Sequence, residues 1–144
     1  MDRFTFWQRW LFYSSLFIAL TAILYAIFPE FSLFKPYNVA INQILWQSKS
    51  IPAEAEVFRN FIYGPLGGTM ACVYIFLALI AYYPFKKKER WSRNAILFAF
   101  SVWFVIDSGI CLYYGVFFQA GILNILSMLQ KLLPVIFTWK EFKI

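Results

Sequence analysis

The chain is predicted to be all-α, a transmembrane four-helix bundle with a short outer interfacial helix between helices 1 and 2. Three observations lead there. Of 144 residues, 62% are hydrophobic and only 14% charged, against about 25% charged in an ordinary soluble domain. The charges are confined to short segments separated by long apolar runs. Those runs leave no polar face for solvent, so water is a poor solvent for the folded chain and a bilayer a good one.

A membrane helix needs about 20 mostly apolar residues, and four stretches qualify. The first lies between Arg9 and Glu30 and closes at Pro29; the span is placed at about 8–28. Its apolar run is longer than the h-region of a signal peptide, and Ala26-Ile27-Phe28 lacks the small-x-small cleavage pattern. An uncleaved first helix is therefore expected.

The second span, about 60–85, follows the helix-entry sequence Ser50-Ile51-Pro52-Ala53-Glu54. Proline suits the first helical turn, and Glu54 and Glu56 suit the positive end of the helix dipole. Pro65, inside the apolar run, removes one backbone bond and predicts a kink. Gly64, Gly68 and Cys72 form a small-residue stripe of the G-x-x-x-G kind, which lets helix backbones approach closely. It is expected to pack within the bundle, with dimerisation as the alternative.

The third span, about 94–117, contains Asp107, and the fourth, about 120–138, contains Lys131. With only the residues around Phe118, Gln119 and Gly121 between them, the two are expected to be antiparallel neighbours. Between spans one and two lies an outer loop, about 30–51. Tyr37, Ile41, Ile44, Leu45 and Ser48 recur there at near-helical spacing among Asn38, Asn42, Gln43 and Lys49. This pattern predicts a short helix on the membrane surface, covering the spans or serving as a lid over an internal cavity, with Trp46 as an interfacial anchor.

Orientation follows from lysine and arginine, which concentrate in cytoplasmic loops. With Arg3, Arg9, the inner basic loop 86–93, Lys131, Lys140 and Lys143 inside, ten of the thirteen basic residues are cytoplasmic; Lys35, Lys49 and Arg59 are outside. The expectation is a single membrane domain over 1–144, multi-pass in a plasma or inner membrane, with N- and C-termini cytoplasmic. Trp7, Trp10, Tyr82, Tyr83, Trp91 and Trp139 cluster at the inner boundary as an aromatic belt would. The basic loop reads as a topology determinant that touches anionic headgroups.

Several function classes lose their basis. Histidine is absent, which removes the commonest general base and metal ligand; no cofactor, metal site or catalytic residue is assigned. The net charge of +6 is distributed between apolar spans, which argues against nucleic acid. Cys72 and Cys111 lie in apolar runs where no disulfide framework is expected.

Ionisable residues within a membrane helix are functional candidates by default. Counted from a turn near 118–119, Asp107 and Lys131 lie at similar depths, about 15 to 17 Å at 1.5 Å per residue, and can meet. Helical spacing adds Asn124 and Ser127 on the Lys131 face, and Trp103, Cys111 and Tyr114 on the Asp107 face. The expected polar cluster is either a structural network holding helices together or a ligand, ion or proton site. A third arrangement leaves Lys131 snorkelling to the interface and Asp107 alone.

The segments Phe61-Ile62-Tyr63-Gly64-Pro65-Leu66-Gly67-Gly68-Thr69-Met70 and Trp103-Phe104-Val105-Ile106-Asp107-Ser108-Gly109, with Tyr114-Gly115 and Asn124 downstream, resemble small uncharacterised four-helix integral membrane proteins, mainly bacterial. The resemblance covers roughly residues 58–138, implies no activity, and singles out Gly64, Gly68, Trp103, Asp107, Gly115 and Asn124.

The leading expectation is a non-enzymatic polytopic membrane protein with a structural or accessory role, its partners membrane lipids and other membrane protein subunits. One alternative is a small carrier or ligand-binding protein using Asp107 and Lys131. Another is a lipid-acting enzyme with Asp107 as acid or base and Cys72 or Cys111 as nucleophile.

Overall fold

A computed structural model describes residues 2–142 of the chain; Lys143, counted above with the cytoplasmic charges, lies outside the described residues. The described chain is helical, with no strand. In order come α1 (Arg3–Ile27), α2 (Lys35–Trp46), α3 (Ala53–Ile80), α4 (Arg90–Tyr113) and α5 (Ile125–Thr138). A π-helical segment, Ala81–Phe85, continues α3, and another, Gln119–Asn124, leads into α5. Four stretches are long and apolar enough to cross a membrane: Arg3–Ile27, Ala53–Phe85, Arg90–Tyr113 and Gln119–Glu141. The chain divides into two compact units, Met1–Leu16 with Ile75–Ile144, and Phe17–Tyr74.

In the first unit, α1 opens on Asp2. Its carboxylate accepts from the Thr5 N–H at 2.7 Å and from the Thr5 hydroxyl at 2.9 Å, satisfying a donor that the first turn leaves orphaned. The same two bonds hold the Asp2 carboxyl below its ordinary range. Aromatic contacts run between distant parts of the sequence: Phe4 stacks on Phe85 at 5.9 Å, Phe85 meets Phe142 edge-on at 4.8 Å, and Trp7 stacks on Phe137 at 4.8 Å. Buried polar side chains find backbone partners, as burial without one would cost a full desolvation penalty. Gln8 donates to the Ala81 carbonyl at 3.0 Å in the widened turn around Pro84, Ser15 to Leu11 at 2.6 Å, and Thr138 to Pro134 at 2.6 Å.

The basic loop is shorter than expected. α4 already begins at Arg90, so only 86–89 connect it to the preceding turn. Lys88 takes a left-handed conformation, φ 61°, and its N–H bonds the Phe85 carbonyl while the Glu89 N–H bonds that of Pro84, the paired bonds of a Schellman helix end. Arg93 is buried despite its charge, with its guanidinium 3.7 Å from the Trp139 ring centroid. An aromatic face accepts a cation and covers its stem, which lets a basic residue stand inside the helix.

In the second unit, α3 starts at Ala53, where the Ser50–Glu54 entry signal places it, and runs through Pro65. Arg59, itself buried, pairs with Glu30 and with Glu56 and lies 5.9 Å from the Tyr63 ring. Tyr25 gathers Phe34, Tyr37 and Tyr63 at 4.8, 6.3 and 4.5 Å.

α2 forms where the near-helical spacing predicts a short helix; its buried residues are Asn38 and Asn42, whereas Ile44, Leu45 and Trp46 are exposed. Asn38 donates to the Pro29 carbonyl at 2.9 Å and Asn42 to that of Lys49 at 3.3 Å, so the two amides tie α2 to the segments before and after it. Within this unit the small-residue stripe makes no close approach. A Cβ on Gly64 or Gly68 would meet nothing within 4 Å, and Cys72 is exposed. The close approach falls one residue away, about 100° around the helix, at Gly67. A Cβ there would stand 2.7 Å from the Ala22 carbonyl oxygen and 2.7 Å from the Ala26 Cβ.

Gly67→Ala is therefore expected to destabilise the protein by about 1–3 kcal/mol, the range for overpacking a tight contact. Gly68→Ala is expected to be neutral or to stabilise by up to about 1 kcal/mol, as alanine replaces glycine in an open helical position. Thermal unfolding of both variants in one detergent checks the contrast; equal effects would place the contact elsewhere.

Candidate functional site

The polar cluster lies within the first unit, on α4, the Gln119–Asn124 segment and α5, and the turn between them decides its composition. α4 ends at Tyr113, short of the expected 117, with Gly115 at φ 74°. The Gly115 N–H bonds the Leu112 carbonyl at 3.2 Å and the Val116 N–H bonds that of Cys111 at 2.8 Å. These are the two bonds of a Schellman end, with buried Val116 and Cys111 as its apolar contact. Glycine alone adopts this backbone without a Cβ penalty.

Moving the turn from 118–119 to 115 slides α4 against the returning chain by about two helical turns. Asp107 consequently faces Asn124. Its Oδ2 accepts from Asn124 Nδ2 at 2.6 Å, from Gln119 Nε2 at 3.5 Å and from the Cys111 thiol at 3.8 Å. Asn124, 3% exposed, also donates to the Ser108 hydroxyl at 3.0 Å. Three donors thus converge on one carboxylate oxygen, while the other accepts no bond among the described residues.

Lys131 occupies a second layer. Its ammonium donates to the Ser127 carbonyl and hydroxyl, each at 2.7 Å, and lies 4.6 Å from the Phe100 ring centroid and 5.5 Å from that of Trp103. The side chain is 1% exposed, so it is not a snorkelling lysine. The aromatic rings supply a cation–π environment, with Phe100 and Trp103 on α4 holding Lys131 of α5. Among the described residues no hydrogen bond or ion pair joins Asp107 to Lys131. The two charges stand in separate sets of partners, Asp107 with Asn124, Gln119 and Cys111, and Lys131 with Ser127, Phe100 and Trp103.

Of the remaining sequence candidates, Ser127 and Trp103 join the lysine layer. Tyr114 caps α4, is 60% exposed, and makes its ring contact with Tyr113 at 5.0 Å, apart from the polar atoms. Cys72 and Cys111 are free thiols; only Cys111 belongs to the cluster. Sequence reading missed Gln119 and Ser108. Gln119 was legible as a lone amide beside the turn, but its approach to Asp107 depends on the π-helical Gln119–Asn124 segment. π-Helical turns insert an extra residue that re-aims side chains and recur at functional sites.

No protein-family model, curated protein or solved structure matches this chain.

Asn124→Ala should cost about 1–3 kcal/mol, since it strips the shortest bond from Asp107 and leaves buried partners unsatisfied. In a double-mutant cycle, Asp107→Ala with Asn124→Ala should show coupling of at least about 0.5 kcal/mol, and Asp107→Ala with Lys131→Ala much less. Gly115→Ala should cost about 1–2 kcal/mol for a left-handed residue carrying a Cβ. Unfolding midpoints in detergent check all three.

Proposed function

We propose that the chain is a multi-pass integral membrane protein without catalytic chemistry, acting in a structural or accessory role through lipid- and partner-facing helices. The observation that supports this most is the inversion of polarity across the long helices. Phe17, Phe98, Val105 and Phe117 stand 67–75% exposed while Ser15, Asn124, Lys131 and Thr138 are 0–3% exposed. Water would reverse that distribution, whereas a hydrocarbon solvent rewards it, because polar groups there must be satisfied by the protein itself.

In this reading the four long apolar helices cross the bilayer, α2 lies at the outer surface, and 86–89 with both termini face the cytoplasm. The exposed Ile44, Leu45 and Trp46 of α2 then meet lipid headgroups and acyl boundary, as interfacial helices do. Lys88 pairs with Glu141 at 2.8 Å, next to other cations available to anionic headgroups. Gly64, Gly68 and Cys72, open within the second unit, form a stripe suited to a helix of another subunit.

A second reading is supported by the Asp107 geometry. One carboxylate oxygen accepts three donors and the other none, so the site fits a proton, a cation or a ligand donor as its remaining partner. In that reading the protein is a small carrier or ligand-binding membrane protein centred on Asp107, with Gln119 and Asn124 as positioning residues.

Extraction from the native membrane into nanodiscs followed by intact-complex mass spectrometry separates the readings. The accessory role predicts a stoichiometric protein partner, and a chain recovered alone in several mild detergents would sink it. If instead a small molecule is retained, Asp107→Asn should release it while leaving the unfolding midpoint within a few degrees of wild type.

A further inference from the structure

α4 carries its carboxylate at the edge of its buried face. Phe100, Ser108 and Cys111 are buried, whereas Ile106 and Ile110 are 58% and 55% exposed. At 100° per residue Asp107 falls between these two sets, and it is half-buried. Along the axis it lies six residues before the helix end at Tyr113, about 9 Å at 1.5 Å per residue. In the accessory reading that depth is within the hydrocarbon.

The partners of Asp107 hold the group without neutralising it. Asn124, Gln119 and the Cys111 thiol all donate to Oδ2, and all three are uncharged donors. No salt bridge reaches Asp107 among the described residues. Lys131, on the helix that packs against α4, directs its ammonium to Ser127 and to the Phe100 and Trp103 rings. Oδ1 accepts no hydrogen bond among the described residues and is not among the enclosed polar atoms. It is therefore open at the surface beside an apolar helix flank, where a charge is expensive unless a partner meets it.

We propose that Asp107 is the docking point for a transmembrane helix of another subunit that carries one lysine or arginine at the matching depth, paired with Oδ1. The proposal rests on the accessory role and states what the partner must contain. Charge complementarity selects a cation, because neutral donors already occupy Oδ2 and leave the negative charge uncompensated. The exposed Ile106 and Ile110 call for apolar side chains on either side of that cation, and a helix supplies them while satisfying its own backbone. The chain as a whole carries a net charge of +6, so general attraction works against a cationic partner and any preference for one must come from a local site.

The test is association of the full chain, reconstituted in bilayers and labelled with a fluorescent donor, with acceptor-labelled polyleucine helices. One helix is leucine throughout, one has lysine at the sixth position from its end, and one has glutamine there. The lysine helix is expected to associate about tenfold more tightly than the leucine helix, with the glutamine helix well below it. Asp107→Asn, which keeps an oxygen for Asn124 to donate to, should bring the lysine helix down to the leucine level. Should that variant fail to fold, the three helices on the wild-type chain decide alone. Equal association of the lysine and leucine helices would overturn the proposal and leave Asp107 to a proton or small ligand. A glutamine helix as tight as the lysine helix would overturn it too, since a hydrogen bond and not a charge would then be recognised. So would a lysine preference that survives Asp107→Asn. None of these results touches the accessory role itself, which stands or falls on a stoichiometric partner in the extracted complex.

Discussion

Long helices that present phenylalanine, valine and isoleucine outward leave their few polar side chains only buried places to go, and the rest of the structure follows from how those groups are satisfied. Gln8, Ser15, Ser108, Asn124, Lys131 and Thr138 are all buried and all hydrogen-bonded. Several turn back onto their own helix: Ser15, Thr138 and Lys131 reach carbonyls four residues earlier. Such local bonds satisfy a donor without requiring a particular neighbour. The bonds that join separate elements, Gln8 to Ala81 and Asn124 to Asp107 and Ser108, are few, and these specify which residues face one another.

Register along α4 and the returning chain depends on one backbone conformation. With Gly115 left-handed, the helix stops at Tyr113 and the chain reverses in a minimum of residues. Asp107 then stands level with Asn124, and Phe100 and Trp103 level with Lys131. The equivalent turn at 86–89 uses Lys88 in place of glycine, accepting the strain of a left-handed Cβ while its ammonium reaches Glu141 and the Phe4 ring. The two turns have the same bonding pattern and different chemistry: one minimises strain, the other places a charge.

α2 inverts the usual sense of amphipathicity. In water, Ile44, Leu45 and Trp46 would be the buried face. Here the asparagines are inside, each anchored through its nitrogen to a carbonyl beyond the helix. The arrangement joins Pro29 and Lys49 to the same helical face.

The sequence by itself determined the elements: charge-free runs of sufficient length produce four long helices, Pro52 with Glu54 and Glu56 marks the start of α3, and near-helical spacing marks α2. Those are local properties, set by backbone hydrogen bonding and side-chain type within a few residues. It also exposed Asp107, Lys131, Asn124 and Ser127 as polar residues in apolar helices. Only the tertiary structure decided their partners, because a shift of three or four residues in a turn moves the facing side chain by two helical turns. For the same reason the G-x-x-x-G spacing selected Gly64 and Gly68 for the close contact, whereas the rotation of α3 about its axis, fixed by packing against Ala22 and Ala26, put Gly67 there.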